Sequence, residues 1–425
     1  MWIRSALRDI DVRIISLAAA VGSVAGLTDA SLASDWPQFR GPDGQGYATS
    51  DSLPSTWSDT EHVLWKVPVE GLGWSSPVVA GERIYLTSAV PDDDEVQNLV
   101  AECRSLKEGA ILWRSELHHQ KGKVELHGKN SHASSSPVVE GDFLYVHFGP
   151  HLTACLKASD GSTVWAKQLE YAPLHGNGGS PTVYDDVVIL CCDGRDVQYV
   201  VALDKQTGEE RWRTPRDTQP VKGFSFSTPL IIEAGDRTQA ICPGSDAVFS
   251  YDPKTGAEIW RCRYKDGYSV VPRPVFANGL VYVCTGYNKP KLLAIDPTGT
   301  GDVSETHLKW EHDRGVPHNP SIVAEGGEVY FVSDKGVATC LDGTTGEEKW
   351  QQRLGGNYSA SPLAADGRIY FQDEAGVCYV VNASPTYELL ATNNWSNGKR
   401  TYASYAVVGP TLILRSEDQL LRIGE

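Results

Sequence analysis

Apolar residues in this chain recur at every second position over short runs, with turn-forming residues between the runs. PTVYDDVVILCC (181–192) holds two such runs, and VQYVVALD (197–204) and EERWRTP (209–215) add two more. A two-residue period sends successive side chains to opposite faces of a strand. Runs of this length joined by tight turns predict four short antiparallel strands.

The unit repeats. ALDKQTGEERW (202–212) has Gly at its seventh place and Trp at its eleventh. Five segments share that spacing, from Cys103 to Trp113, Cys155 to Trp165, Ala202 to Trp212, Ser250 to Trp260 and Cys340 to Trp350. A sixth opens at Ala294 and is stretched to Trp310, and a seventh, VVNASPTYELL (380–390), keeps the spacing but replaces Gly and Trp. Trp65, in HVLWKVPV (62–69), is an eighth anchor without the preceding turn. A second signature falls between these: SSPVV (75–79 and 135–139), GSPTV (179–183), STPLI (227–231), PRPVF (272–276), NPSIV (319–323), ASPLA (360–364) and ASYAV (403–407).

Eight openings with a period of roughly 40–60 residues and four strands per period predict an all-β, eight-bladed β-propeller. The tryptophans, Trp65 to Trp350, then have a docking role: each ring fills the wedge between adjacent outer strands, beside an Asp-x-x-Thr-Gly turn whose Gly supplies positive φ. The last 25 residues hold three strands and no Trp strand, whereas HVLWKVPV is a Trp strand with nothing before it. The last blade is therefore expected to be closed by N- and C-terminal strands together, which leaves no sheet edge free.

Ahead of the repeats, Arg4, Arg8 and Arg13 precede an apolar run, Ile14–Leu27, followed by small residues at Ser31 and Ala33. That order reads as a secretory signal, and the run is too short to span a bilayer. The expected organisation is a signal peptide over 1–33, an N-terminal extension packing on the propeller over 34–56, and the propeller over 57–425. No Cys precedes Cys103, so the expectation is a periplasmic or secreted protein that is not a lipoprotein.

A formal charge of −16 argues against nucleic-acid and anionic-membrane partners, both of which require a basic footprint. The nine Cys include no CxxC spacing, and Cys103, Cys155 and Cys340 occupy a motif place filled elsewhere by Ala202, Ser250 and Ala294. They read as small buried fillers rather than metal ligands.

On these residues the chain resembles the quinoprotein-type eight-bladed propellers, whose tryptophan-docking motif Ala-x-Asp-x-x-x-Gly-x-x-x-Trp is matched in full at 202–212. It is also similar to the PQQ-like repeat proteins secreted by planctomycetes, in the opening WPQFRGPDGQG (36–46) and in phrases such as GGNYSASP (355–362). More distantly it resembles the outer-membrane assembly scaffold BamB. The quinoprotein resemblance implies PQQ held with calcium, an Asp base and a disulfide between adjacent cysteines. Cys191, Cys192 and Asp193 reproduce a Cys-Cys-Asp string of that family, but they sit on a second strand where alternation sends the two thiols to opposite faces. No cofactor, PQQ included, and no metal site is therefore expected.

Chemistry concentrates on one face. The Asp-x-x-Thr-Gly turns share one end of the blades and are monotonous, while the approaches to the inner strands share the other and are varied. Those approaches carry His127, Lys129, Asn130 and His132 in blade two, His175 and Asn177 in blade three, and Tyr268 and Arg273 in blade five. His318 and Asn319 follow in blade six, and Asn357 and Tyr358 in blade seven. Turns on the same face add Asp193, Arg195, Tyr287, Asn288, Lys289, Asp334 and Lys335. Converging on one funnel, these groups suit a carbohydrate, a peptide or an anionic small molecule. The expected function is a monomeric, non-catalytic propeller that binds a protein partner or polar ligand there. The alternative is an enzyme using the same funnel, either a quinoprotein-like oxidoreductase or a carbohydrate-acting one.

Overall fold

A computed structural model describes residues 35–50, 52–93, 96–122 and 124–425. The expected leader, 1–33, lies outside the described residues. Those residues form strands, turns and irregular segments, with no helix among them. The strands make eight sheets arranged as the blades of a propeller.

Blade 3 shows the common plan. Thr182–Tyr184, Val187–Asp193, Gln198–Asp204 and Glu210–Pro215 pair antiparallel in that order from the channel outward. Blade 8 takes three strands from the C-terminus, Ala406–Val408, Thr411–Arg415 and Gln419–Ile423, and its outer strand from the other end of the chain, Val63–Pro68. Lys66 lies opposite Leu421 and Val67 opposite Leu420, so the ring is closed by both ends, as the pattern predicts.

The repeat motif has a packing explanation. Its first and eleventh residues are cross-strand partners: Cys103 with Trp113, Cys155 with Trp165, Ala202 with Trp212, Cys340 with Trp350. An indole directly opposite leaves room only for Ala, Ser or Cys. The indole then reaches the next blade, where Trp113 Nε1 donates to Ala158 O, Trp165 Nε1 to Lys205 O and Trp212 Nε1 to Pro253 O, each at 3.0 Å. A Cβ on Gly208 would sit 2.7 Å from the Trp165 ring, and one on Gly256 2.5 Å from Trp212. The motif's Gly is thus required by the preceding blade's indole as well as by its own positive φ, +74° and +70° at these two residues. Trp260 departs from the pattern because the turn after it is stretched. Its Nε1 donates to Gln239 Oε1 at 2.7 Å, and Gln239 Nε2 in turn donates to Pro297 O in blade 5.

The segment before the propeller enters the channel. Trp36 exchanges backbone hydrogen bonds of 2.9 and 2.8 Å with Val79 of blade 1, and Pro37 O accepts from Val139 of blade 2. Gln45 Oε1 accepts from the Phe276 N–H of blade 5, and Tyr47–Ala48 pairs parallel with the inner strand of blade 7. Arg273 holds the middle of this segment, donating to Phe39 O at 2.6 Å, Gln38 Oε1 at 3.0 Å and Pro229 O at 2.8 Å. The placement of Arg273 at the funnel surface is therefore corrected. Its side chain is fully buried, because a long cation at this place reaches backbone carbonyls of the threaded segment rather than solvent.

Candidate functional site

The remainder of the channel is a cavity of about 320 Å³, bounded by Phe39 of the threaded segment and by residues leading into the inner strands of all eight blades. Its rim and wall are built on a ring of hydrogen bonds. Ser76 N donates to Ser136 Oγ at 2.8 Å, Ser136 N to Ser180 Oγ at 2.9 Å, and Ser180 N to Thr228 Oγ1 at 3.0 Å. Further round, Arg273 N donates to Ser321 Oγ, Ser321 N to Ser361 Oγ, and Ser361 N to Ser404 Oγ, at 2.9–3.0 Å. Ser404 N donates to Ser76 Oγ at 3.0 Å and completes the circuit. One step of eight is missing, between Thr228 and residue 273, because Arg273 has no hydroxyl to offer. Each hydroxyl satisfies a backbone N–H just ahead of the strand ladder, where a buried donor would otherwise go unpaired. The sequence signal for this ring was the Ser or Thr two residues before the inner strand in every blade but the fifth, which on sequence grounds marked only strand starts.

Six of the expected funnel residues line the cavity: His127, Lys129, Asn130, His175, His318 and Asn319. The His127 and His175 rings meet edge to face with centroids 5.6 Å apart, and Asn130 Nδ2 donates to His175 O at 2.8 Å. Burial, with smaller contributions from His175 and Lys129, lowers the His127 pKa below its ordinary value. Lys129 Nζ pairs with Glu374 Oε1 at 2.6 Å. Asp334 accepts from His318 N at 2.6 Å and from the Asn319 amide. Burial alone would raise the Asp334 carboxyl, but the His318 and Asn319 hydrogen bonds outweigh it and hold the pKa below the usual carboxylate value.

The other six do not line it. Besides Arg273, Tyr358 is fully buried between blades 6 and 7, where its ring completes a hydrophobic cluster with Leu354 and Ile369. Asn177 is held by the Tyr171 hydroxyl at 3.2 Å. Tyr268 stacks edge to face on Tyr287, 5.6 Å away, and Tyr287 is the one that lines the cavity. His132 is half-buried outside it, with its pKa lowered by desolvation. Asn357 is exposed and accepts from Lys335. Of the facing-turn residues, Asp193 is also removed from the funnel: it forms a bidentate, fully buried pair with Arg216 at 2.7 and 2.9 Å. The aromatic lining, Phe39, Trp74, Phe226 and Tyr402, was not foreseen; Trp74 and Tyr402 pack with centroids 4.5 Å apart.

The disulfide between adjacent cysteines that the quinoprotein resemblance implies is not formed. Cys191 and Cys192 are free thiols on one strand, Cys192 packed with Tyr199 on one face and Cys191 with Cys242 on the other. Neither lines the cavity, and no group of three or more His, Cys, Asp or Glu is placed to hold a metal among the described residues. No helix among them is long and apolar enough to cross a membrane.

The sequence profile of the family described as outer membrane protein assembly factor BamB matches residues 97–323 and 307–416. No curated protein matches the chain. Among solved structures it is similar to BamB from Moraxella catarrhalis, with a TM-score of 0.61 and 14% identity over 85% of this chain and 96% of that one. It is likewise similar to a europium-containing methanol dehydrogenase, with a TM-score of 0.63 and 13% identity over 92% of this chain and 98% of that one. At these identities the likeness is one of fold.

Proposed function

The chain belongs to the PQQ-like propeller family described as outer membrane protein assembly factor BamB, and from that premise we propose that it is an exported, non-catalytic, monomeric propeller that binds a polar ligand in its funnel. The observation that carries this reading is the 320 Å³ cavity, of small-molecule size, to which every blade contributes. Hydroxyl, amide and imidazole groups interleaved with Trp74, Phe226, Tyr287 and Tyr402 suit a carbohydrate-sized ligand, whose polar edge takes hydrogen bonds while its flat face stacks. No quinone or metal cofactor is part of this proposal.

The family description favours a second reading, in which the same mouth receives the polar tip of a protein partner. Export itself rests on the Arg-rich start and apolar run of residues 1–33, and N-terminal sequencing of exported protein is expected to begin near Ser34.

The test is a binding screen of small sugars and sugar derivatives on the intact protein, followed by His127→Ala with His318→Ala. The double variant is expected to lose binding of whatever compound the screen finds, with folding stability changed by less than about 1 kcal/mol, since both side chains sit at the cavity surface. Retained binding in that variant would move the site away from the funnel.

A further inference from the structure

We propose that the funnel is an oxyanion site: a carboxylate or phosphate group of a small polar ligand seats on the ring of hydroxyls, in front of three buried guanidinium groups. This rests on the reading of the funnel as a ligand site and names the chemistry that the site selects.

A Ser or Thr hydroxyl has one donor and two acceptor lone pairs. Each of the seven ring hydroxyls spends a lone pair on the N–H of a neighbouring blade. None of them donates its own proton to a protein acceptor among the described residues. Each ring residue lines the cavity with an unused O–H donor and one unused lone pair, so the hydroxyls can serve any oxygen ligand and the choice among them falls to the surrounding charge. Neutral donors gain most from an ionised oxygen, since charge-assisted hydrogen bonds are shorter and about twice as strong as neutral ones.

The surroundings carry the matching charge. Arg273 occupies the ring place of blade 5 and runs beneath Phe39. Arg415 donates to Ser75 O at 2.9 Å and to Ser88 Oγ at 3.0 Å, next to ring residue Ser76. Arg40 donates to Ile322 O, next to ring residue Ser321. All three are buried, and none is ion-paired with a carboxylate among the described residues. Burial lowers their pKa values to about 9, 9 and 10 for Arg40, Arg273 and Arg415, with Arg273 adding to the effect on Arg40. They stay charged at neutral pH. Arg40 Nε and Nη1 and Arg415 Nε also have no hydrogen-bond partner. Asp43 acts on Arg40 and Arg273 and Glu102 on Arg415, but without a direct ion pair to any of the three, so the buried cations set a positive potential at the ring, where water screens them least.

Negative charge is kept off the surface that a ligand would touch. No Asp or Glu lines the cavity, in a chain that carries 54 of them. The carboxylates bonded to lining residues are engaged: Glu374 by Lys129 and Ser359, Asp334 by His318 and Asn319.

Calorimetric titration of the intact protein with glucuronate, glucose 6-phosphate and glucose tests this with one sugar ring carrying a carboxylate, a phosphate or a neutral hydroxymethyl group. At least one of the two anions is expected to bind ten-fold or more tightly than glucose, and which one does so tells carboxylate from phosphate. Ser136→Ala with Ser361→Ala is expected to cost ten-fold or more in that affinity, and Ser136→Thr with Ser361→Thr, which restores the donors, to recover it. Should the alanine variant not fold, the anion-to-glucose ratio on the unaltered protein decides alone. Glucose binding as tightly as both anions overturns the oxyanion inference and leaves the polar-ligand reading in place. Absence of saturable binding by all three overturns both.

Discussion

The two halves of the central channel are built on the same inner strands and reach opposite states. In one half, residues 36–48 lie along those strands and take up their free hydrogen-bonding groups, with Arg273 clamping the segment through Phe39 and Gln38. In the other, the strand approaches satisfy one another through the hydroxyl ring and leave a cavity. The difference teaches that closure of the tube and opening of the funnel are separate inventions. Repetition builds the ring, while a single non-repeated segment converts the tunnel into a cup.

The most severe way to break this contrast is to delete residues 34–69, which removes the threaded segment and the outer strand of blade 8 together. Loss of cooperative unfolding, or aggregation through the exposed 419–423 edge, is the expected outcome in a thermal melt with light scattering. Trp212→Ala, far from the channel, is expected to cost about 3–5 kcal/mol through a cavity at the junction of blades 3 and 4. Chemical denaturation measures it, and both halves of the channel should respond alike, with residual binding per folded molecule retained. Arg273→Ala should cost less, roughly 2–3 kcal/mol, by leaving Phe39 O and Pro229 O buried without their donor. This loss is specific to the plugged half, and protease sensitivity of residues 36–48 should rise with it.

The smallest effect concerns pH. Folding lowers the His127 pKa, so the unfolded chain takes up the proton first as pH falls. Stability contributed by the neutral imidazole is therefore full above the ordinary His value and declines as pH drops through it. His127→Gln should flatten the dependence of the denaturation midpoint between about pH 7 and pH 5. An unchanged slope would mean that His127 is not desolvated in the folded funnel.

The propeller was legible because a packing problem solved repeatedly leaves a periodic mark. Gly208 on Trp165 and Gly256 on Trp212 are a whole blade apart in the chain and yet make the same contact. The funnel was half legible for the same reason in reverse. His127, His175 and His318 stood out as varied groups at equivalent places, and these do meet. Arg273 and Tyr358 stood at equivalent places too, but side-chain length and the blade interior took them elsewhere. What sequence reasoning passed over was the most regular part of the site. Ser76, Ser136, Ser180, Ser321, Ser361 and Ser404 read only as markers of strand starts because their bonding partners lie one whole blade away. The threaded segment left no periodic trace at all, since it occurs once.

The stretch that follows that segment, residues 57–68, also sets a timetable. Trp57 N bonds to Asn393 Oδ1 across 336 residues of sequence, and Val63–Pro68 pairs with Gln419–Ile423. Residues that leave the ribosome first thus find their partners among those that leave last. Contacts of such high order are slow to form, because the chain must close its longest loop before they reward it. Until then the nascent ring is an arc with two unpaired sheet edges, the state most open to misassembly. The shared blade can lock only in the final step, so both edges of the arc stay open until the last strand has been made.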